Sequence, residues 1–309
     1  MAEKIAVLMG GTSNERNISL MSGKTVLQSM REIGINAYPI DTKNYPVIDL
    51  KKDGFDKAFI ALHGGKGEDG HLQAILDFIN IKHTGNSVIT SAITMDKIRT
   101  KLLWQGSKLP TSNFIKINRE NIKKCLDPDI QEAITALNLP LFVKPNCSGS
   151  SIGISKINNL KKLYSAVKKA SYHDEEVLIE TFLSGPEYTV GIIGEKILPS
   201  VRIQANKEFY NYEAKYITND TQYFCPSGLT NNREQELQSL AYSAWKILGG
   251  NKWGRVDVMM DEEDKFHLLE VNTSPGMTYQ SLIPRAAKQL GWSFSDLIMY
   301  ILQLADNIV

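Results

Sequence analysis

The sequence predicts a mixed α/β protein in which an open, mostly parallel α/β region precedes antiparallel sheets. Short apolar runs alternate with amphipathic segments over residues 4–94, which is the pattern of successive βαβ units. Between residues 177 and 203, apolar runs are separated by glycine turns, as antiparallel hairpins require. The chain has 309 residues, which is enough for two or three compact units.

Composition indicates a small-molecule partner. The chain carries 35 basic and 34 acidic side chains, so its net charge favours neither nucleic acid nor an anionic membrane. No apolar run reaches the length of a signal-peptide core or a membrane span. Cys125, Cys147 and Cys225 are scattered and lack CxxC spacing. This spacing argues against a disulfide framework or a zinc site, and a reducing cytoplasm is expected.

The N-terminal stretch predicts the opening of a βαβ unit. Lys4–Met9 is typical of a buried strand, a glycine turn follows, and Ile18–Ile33 has helical apolar spacing. The turn does not match GxGxxG, and Gly23-Lys24-Thr25 lacks the first glycine of a P-loop, so neither nucleotide motif is predicted. Glu15 lies between the turn and the helix. There it could bind a ligand amine or simply place a favourable charge at a helix N-terminus.

The parallel pattern continues through strands at Ile35–Ile40 and Ala58–Leu62 and a helix at His71–Ile79. His63 directly follows the second of these strands. Ligands of open α/β sheets bind beyond the carboxyl ends of the strands. His63 could therefore orient a substrate, although a structural histidine bonded to the backbone is equally compatible with the sequence.

A helix predicted at Ser91–Gln105 leads into a new unit, with a boundary placed near Thr94. Leu139–Lys144 is predicted as a strand, and a Gly/Ser-rich loop follows over residues 146–153. Backbone N–H groups of such a loop could close over phosphates, with Lys144 adding positive charge. A surface turn beside an exposed lysine is the alternative.

The next segments predict an antiparallel sheet, with a preceding helix at Asn159–Ser171 and strands at Val177–Phe182, Glu187–Ile193 and Ile197–Ile203. Glu180 and Glu187 bracket a short connection between two of these strands. A nucleotide base could lie against backbone groups there while a carboxylate binds ribose hydroxyls. Two ordinary exposed glutamates would leave the same pattern.

The last third of the chain combines a polar loop with three predicted helices. Phe209–Phe224 is rich in tyrosine and contains Lys215 and Tyr216, and ordered loops of this kind commonly carry binding residues. The helices are predicted at Thr230–Leu248, Leu282–Leu290 and Phe294–Ala305.

The hairpin between the first two of these helices is the strongest candidate for a site. Its strands are predicted at Val256–Met260 and Phe266–Val271. If Asp261 pairs with Phe266, Asp257 lies opposite Glu270 and Arg255 lies opposite Asn272, so all four side chains share one face. Two carboxylates and an amide oxygen suit Mg²⁺, although a solvated face with cross-strand ion pairs is an open alternative. The rigid turn at residues 272–276 could aim backbone N–H groups at a substrate.

Taken together, these segments resemble the D-alanine–D-alanine ligases of the ATP-grasp superfamily over essentially the whole chain. The motifs that carry the resemblance are KIAVLMGGTSNER, ALHGGKGEDG, MDKIRTKLLWQG, VKPNCSGSSIGISK, YEAKY, GRVDVMMD and LLEVNTSPGMT. The resemblance implies an N-terminal α/β domain at residues 1–94, a central ATP-grasp subdomain at 95–184 and a C-terminal one at 185–309. It also implies ATP and Mg²⁺ or Mn²⁺, conventionally as two ions, two D-alanine molecules as substrates, a homodimer, and a place in peptidoglycan precursor synthesis.

The resemblance also assigns roles to individual residues. It places the first D-alanine at Glu15, linked to Ser150 and Tyr216, with His63 nearby, and the second D-alanine and the oxyanion at Arg255, Gly276, Ser281 and Leu282. It assigns ATP phosphates to Lys97, Lys144, Ser151 and Lys215, the adenine and ribose to Glu180, Thr181, Phe182, Leu183, Glu187 and Phe209, and the metal to Asp257, Glu270 and Asn272. The implied chemistry is ATP-dependent formation of an acylphosphate, which the second D-alanine then attacks.

Three rival functions remain compatible with parts of the pattern. A D-alanine–D-lactate ligase would use the same scaffold, although Tyr216 favours the dipeptide-forming enzyme. Another carboxylate–amine ligase of the superfamily is a second rival. A non-catalytic nucleotide-binding module is a third, but it would have no need for Arg255 together with a complete metal-binding set.

Overall fold

The computed structural model describes residues 3–149, 152–204 and 221–306. Their strands are β1 (Ile5–Met9), β2 (Ala37–Asp41), β3 (Lys57–Ile60), β4 (Lys82–His83), β5 (Phe114–Asn118), β6 (Leu141–Pro145), β7 (Ser155–Ile157), β8 (Glu176–Thr181), β9 (Glu187–Ile193), β10 (Lys196–Ile197), β11 (Val201–Gln204), β12 (Gln222–Phe224), β13 (Trp253–Met260) and β14 (Phe266–Asn272). Their helices are α1 (Arg16–Glu32), α2 (His71–Phe78), α3 (Val88–Met95), α4 (Lys97–Gly106), α5 (Pro128–Ala136), α6 (Leu163–Ser171), α7 (Asn231–Ile247), α8 (Leu282–Gln289) and α9 (Phe294–Leu304).

These strands form three sheets. The first is parallel throughout, in the order β2-β1-β3-β4. The second is antiparallel, in the order β12-β11-β9-β13-β14, with β10 paired to β9, and the third is antiparallel in the order β5-β8-β6-β7. A parallel N-terminal region followed by antiparallel sheets is the predicted fold class, which is confirmed.

The three predicted domain segments each supply one sheet, but their cores are not separate. Residues of β1 and α1, such as Val7 and Val26, share a core with Trp253 of β13 and with Ile298 and Ile301 of α9. The N-terminal sheet is therefore held against the C-terminal part of the chain by buried apolar contacts. The exact boundaries near residues 94 and 184 stay predictions.

Several predicted elements differ from the observed ones. The single helix predicted over Ser91–Gln105 is two helices, because Asp96 has extended backbone angles and caps the second helix by accepting a hydrogen bond from the Arg99 N–H. The strand predicted over Ile197–Ile203 is split into β10 and β11. The predictions also missed β4, β5, α5, β7 and β12.

The helices begin and end at residues with evident local causes. Thr230 and Ser293 cap α7 and α9 through their side chains, and Ser293 forms a capping box with Asp296. Gly10 and Gly11 both have positive φ angles between β1 and α1, which glycine adopts without the strain that a side chain would cause. None of the described helices combines the length and apolar character needed to cross a membrane.

Candidate active site

The hairpin of β13 and β14 pairs Arg255 with Asn272 and Asp257 with Glu270, as predicted. The predicted loop, however, is wrong by one residue, because Phe266 pairs with Met260 and not with Asp261. A β-bulge between the Asp257 and Val258 pairings inserts one extra residue in β14 and restores the register at the site. The four polar side chains therefore occupy one face of the hairpin.

Arg255 and Asp257 are joined by a bidentate ion pair. The Arg255 Nε and Nη2 atoms lie 2.8 and 2.7 Å from the two carboxylate oxygens of Asp257. The Thr189 hydroxyl also donates to Asp257, at 2.6 Å. Because Asp257 is 3% exposed, these contacts both orient the carboxylate and compensate its buried charge.

A cavity of about 530 Å³ opens on this face of the hairpin. Its walls come from the start of α1, the end of β3, the start of α4, β13, β14 and the turn that leads into α8. The predicted site residues that line it are Glu15, His63, Lys97, Arg255, Glu270, Asn272, Gly276, Ser281 and Leu282. Residues far apart in the chain thus meet at one concave site, which is the usual form of a small-molecule site.

Glu15 lies at the wall formed by the N-terminal sheet and the Gly/Ser-rich loop. A Cβ atom at Gly64 would lie 2.3 Å from the Glu15 carboxylate, and one at Gly149 would lie 3.1 Å from it. Both positions therefore need glycine, or a shift of Glu15, for the carboxylate to fit where it does. The predicted partners Ser150 and Tyr216 lie outside the described residues.

His63 is buried, and both of its ring nitrogens are bonded. Nδ1 lies 2.7 Å from the Ser274 carbonyl, and Nε2 lies 2.9 Å from the Ser22 hydroxyl. A carbonyl can only accept, so Nδ1 carries the proton, and in the neutral ring Nε2 accepts from Ser22. The Ser22 oxygen in turn accepts from the Met277 N–H at 3.1 Å. His63 thus binds the turn at residues 272–277, which supports the structural interpretation of this residue.

Lys97 connects the hairpin to the start of the Gly/Ser-rich loop. Its Nζ lies 3.2 Å from the Glu270 carboxylate and donates to the Ser148 carbonyl at 3.1 Å. Burial opposes the charge on this ammonium, but Glu270 outweighs that effect and raises the pKa of Lys97. Asn146 accepts from the Ile98 N–H at 2.8 Å, so the loop begins at a fixed distance from α4.

Lys144 and Glu180 belong to a buried ionic cluster with Lys101. Lys144 forms an ion pair with one oxygen of Glu180, and Lys101 lies 3.0 Å from the other. Burial alone would raise the pKa of Glu180, but Lys101 and Lys144 lower the pKa of Glu180 to about 2. The Glu180 side chain is therefore occupied by lysines, and only its backbone stays available for the predicted contact with a nucleotide.

Ring packing and hydrogen bonds hold the connection between β8 and β9. Phe182 packs edge-on against Phe142, and Lys156 lies over its ring at 4.0 Å from the ring centroid. The Phe182 N–H donates to the Pro140 carbonyl, and the Thr181 hydroxyl donates to the Leu137 carbonyl. Leu183 is buried. Glu187 begins β9 and is half-buried, so it is the more accessible of the two predicted carboxylates.

The turn before α8 carries the remaining predicted residues. Ser281 precedes the helix, and its hydroxyl accepts from the Thr278 N–H at 3.0 Å. A Cβ atom at Gly276 would lie 3.1 Å from the Ser281 hydroxyl oxygen, so this turn brings the Gly276 backbone close to Ser281. The predicted residues Ser151, Phe209 and Lys215 lie outside the described residues.

The chemistry of the predicted metal ligands fits Mg²⁺ brought by a nucleotide. Asp257, Glu270 and Asn272 place oxygen atoms on one face of the hairpin, where those of Asp257 accept from Arg255 and Thr189 and the Glu270 carboxylate lies beside Lys97. The described part of the chain contains no cluster of three or more His, Cys, Asp or Glu side chains that could hold a metal by itself. Mg²⁺ commonly binds through one or two carboxylates, with phosphate and water as its other ligands, and this donor set matches that pattern.

Three of the residues that the structure places at these sites, and that the sequence did not predict, have evident roles. Lys101 belongs to the ionic cluster, Ser22 holds the turn, and Arg285 lines the cavity while stacking over Tyr223 at 5.1 Å. Lys101 lies one helical turn after Lys97 and one before Trp104. A lysine on the apolar face of a helix is a signal of a buried, paired charge, and it could have identified Lys101.

Comparisons with known proteins agree with this geometry. A family described as D-ala D-ala ligase C-terminus matches residues 103–303. The D-alanine–D-alanine ligase of Bacillus anthracis superposes with a TM-score of 0.86 at 31% identity, covering 98% of this chain and 97% of that one. A structure of the same enzyme complexed with ATP gives a TM-score of 0.85 at 29% identity, with the same coverage of both chains.

The VanG D-Ala:D-Ser ligase of Enterococcus faecalis superposes with a TM-score of 0.84 at 27% identity, covering 99% of this chain and all of that one. The match over the full length confirms the predicted ATP-grasp ligase fold. It also shows that the scaffold occurs in relatives named for different second substrates, D-alanine and D-serine.

Proposed function

The chain belongs to the D-alanine–D-alanine ligase family, and from this premise we propose that it joins two D-alanine molecules at the expense of ATP, releasing ADP and phosphate. The product would be the dipeptide used for peptidoglycan precursors. The observation that carries the proposal is the shared cavity of Glu15, Lys97, Arg255 and the Gly276 turn. One cavity thus offers a carboxylate for an ammonium group, a cation for phosphate, and donors for an oxyanion.

In the first step, Glu15 binds the ammonium group of the first D-alanine and directs its carboxylate toward the nucleotide. A carboxylate oxygen attacks the γ-phosphorus in line, the bond from that phosphorus to ADP breaks, and an acylphosphate forms. Lys97 and Lys144 stabilise the negative charge on the phosphates, as would Lys215. The ion pair of Lys97 with Glu270 keeps this lysine charged and directed into the cavity.

In the second step, the amine of the second D-alanine attacks the acyl carbon. The tetrahedral oxyanion is stabilised by Arg255 and the Gly276 N–H. The carbon–oxygen bond to phosphate then breaks, and the proton lost by the amine passes to the released phosphate. Ser281 and Leu282 hold the carboxylate of the attacking D-alanine. The bidentate pair with Asp257 fixes the Arg255 guanidinium before substrate binds, so little reorganisation is needed.

The nucleotide is assigned to the interval between the two antiparallel sheets. The backbone at residues 180–183 receives adenine, and Glu187 receives the ribose hydroxyls, with Phe209 beside the base. Asp257, Glu270 and Asn272 would hold Mg²⁺ or Mn²⁺, which offsets phosphate charge when bound. Ser150, Ser151 and Tyr216 would help to close the site over the acylphosphate, since water would hydrolyse it. A homodimer is expected from the family.

The identity of the second substrate is tested by competition. Purified protein with ATP and Mg²⁺ is given D-alanine alone, D-alanine with D-serine, or D-alanine with D-lactate, and products are separated by mass spectrometry while phosphate release is measured. We expect the D-alanine dipeptide to dominate, L-alanine to support no turnover, and chelation of divalent ions to stop the reaction until Mg²⁺ or Mn²⁺ is restored.

Other outcomes assign other functions. A D-alanyl-D-serine product would move the chain to the specificity named for the VanG relative, and an ester from D-lactate at neutral pH would move it to the depsipeptide-forming rival. Absence of phosphate release with any D-amino acid would overturn the ligase proposal.

A further inference from the structure

Lys101 is fully buried one helical turn after Lys97, and it occupies a fixed position. Its Nζ donates to the Thr111 and Ser112 hydroxyls at 2.6 and 2.8 Å and lies 3.0 Å from Glu180. An ammonium group has three N–H bonds, so these acceptors satisfy it completely. The Thr111 hydroxyl in turn donates to the Leu268 carbonyl of β14 at 2.8 Å.

Glu180 is held from the same side by a second route. The Ser112 hydroxyl, which accepts from Lys101, donates to the Glu180 Oε2 atom at 3.0 Å. Lys101 and Ser112 therefore act together on one oxygen of this carboxylate, and Lys144 acts on the other. Glu180 is 2% exposed, and a carboxylate at that depth needs a compensating charge at all times.

Lys144 has a different set of contacts. Among the residues that the structure describes, the one ion pair or hydrogen bond of its side-chain nitrogen is with Glu180, so donor positions of its ammonium group stay available. Its side chain is 11% exposed, whereas that of Lys101 is 0% exposed. Burial lowers the pKa of Lys101, and the Glu180 carboxylate opposes that effect. With both lysines protonated, the cluster carries one excess positive charge. Because Lys144 is the more exposed of the two lysines, its ammonium group presents this positive charge to a ligand.

We propose that Lys101 is a positioning residue that serves as the permanent counter-charge of Glu180, which allows Lys144 to turn its charge toward the phosphates of ATP. This inference rests on the proposed function, since it takes Lys144 as a phosphate-binding residue. Without Lys101, Lys144 would be the one cation that the described residues leave to compensate Glu180. Its engagement with phosphate would then leave a buried carboxylate unpaired, and this penalty would appear as weaker ATP binding.

The test is the Lys101→Met variant, which keeps the length of the side chain and removes its charge. Dissociation constants for ATP with Mg²⁺ are measured by calorimetry, and KM is measured for D-alanine. We expect the dissociation constant for ATP to rise at least tenfold while KM for D-alanine changes less than threefold. The Lys101→Met/Glu180→Gln double variant removes both charges, and we expect it to recover ATP binding to within threefold of the original protein.

The matched control is Lys57→Met. It removes the charge of another buried lysine, which lies 2.9 Å from Asp306 and is not among the residues that line the cavity. We expect its ATP affinity to be unchanged. A Lys101→Met protein that binds ATP within twofold of the original would overturn the proposal, as would a loss of affinity that the added Glu180→Gln change does not reverse. In the second case Lys101 would only stabilise the fold.

If Lys101→Met does not fold, the double variant still decides the question, because it buries no unpaired carboxylate. ATP binding within threefold of the original protein supports the proposal, and a tenfold loss refutes it. The nucleotide measurement is independent of the ligase assay. A protein that binds ATP but does not turn over D-alanine would refute the proposed function while the role of Lys101 is still measured.

Discussion

Replacing Ser22 with alanine tests whether the network around His63 positions the turn that carries Gly276. The Ser22 hydroxyl accepts from the Met277 N–H and donates to His63, and both partners are buried. Ser22→Ala leaves one buried donor and one buried acceptor unsatisfied. Each such group costs about 1–3 kcal/mol, so the observed arrangement of the turn loses roughly 2–6 kcal/mol relative to its alternatives.

We expect this loss of stability of the turn to slow the second step, in which the second D-alanine attacks the acyl carbon. If displaced turn conformations then lie about 2 kcal/mol below the competent one, the competent fraction falls about thirtyfold. We expect kcat/KM for the second D-alanine to fall on the order of 10- to 100-fold, with ATP affinity unchanged within twofold. The assay varies D-alanine at saturating ATP, and calorimetry measures nucleotide binding separately.

Ser29→Ala is the matched control, because Ser29 is another buried serine of α1 whose hydroxyl bonds to Ser295, 3.1 Å away and outside the cavity lining. It should lower the free energy of unfolding without a selective effect on D-alanine. If the two variants lower kcat/KM equally, or if Ser22→Ala leaves activity intact, the positioning argument is refuted. The hydrogen bonds of His63 would then stabilise the fold without contributing to catalysis.

Three further predictions concern the ionic groups. Glu270→Gln should lower turnover at least 100-fold in a phosphate-release assay. The free energy of unfolding from urea titration should change by about 1 kcal/mol or less, because the ion pair of Glu270 with Lys97 is partly exposed. Comparable losses of turnover and stability would contradict a catalytic role. Arg255→Lys keeps the charge but loses the bidentate geometry, so kcat should fall on the order of 100-fold with unchanged ATP affinity by calorimetry, and wild-type kcat would disprove the oxyanion role. Since the folded-state pKa of Glu180 is depressed to about 2, the stability that this carboxylate contributes is complete above its unfolded pKa of about 4.3 and is lost as pH falls toward 2. In urea unfolding across this pH range, the free energy of unfolding should decline less steeply for Glu180→Gln than for the original protein. Parallel declines would argue against this linkage.

The hairpin shows how much of the site the local sequence pattern can predict. Alternation of polar and apolar residues predicted both strands and the opposition of Asp257 to Glu270, and that opposition is confirmed. The loop on which the prediction depended was one residue too short, and a bulge in β14 compensated for the error. A bulge arises from packing on the neighbouring strand and sheet, so periodicity within one strand cannot reveal it.

The sequence by itself determined the fold class, the places of the strands and helices near the motifs, and the types of residue that a ligase of this family needs. Tertiary structure decided which of these side chains are bound to one another. Lys101, Glu180 and Lys144 are distant in the chain and meet only through α4, β8 and β6. Periodicity and capping are local properties of the chain, whereas the partner of a buried charge is chosen by long-range packing, because the charge must be compensated wherever the fold places it.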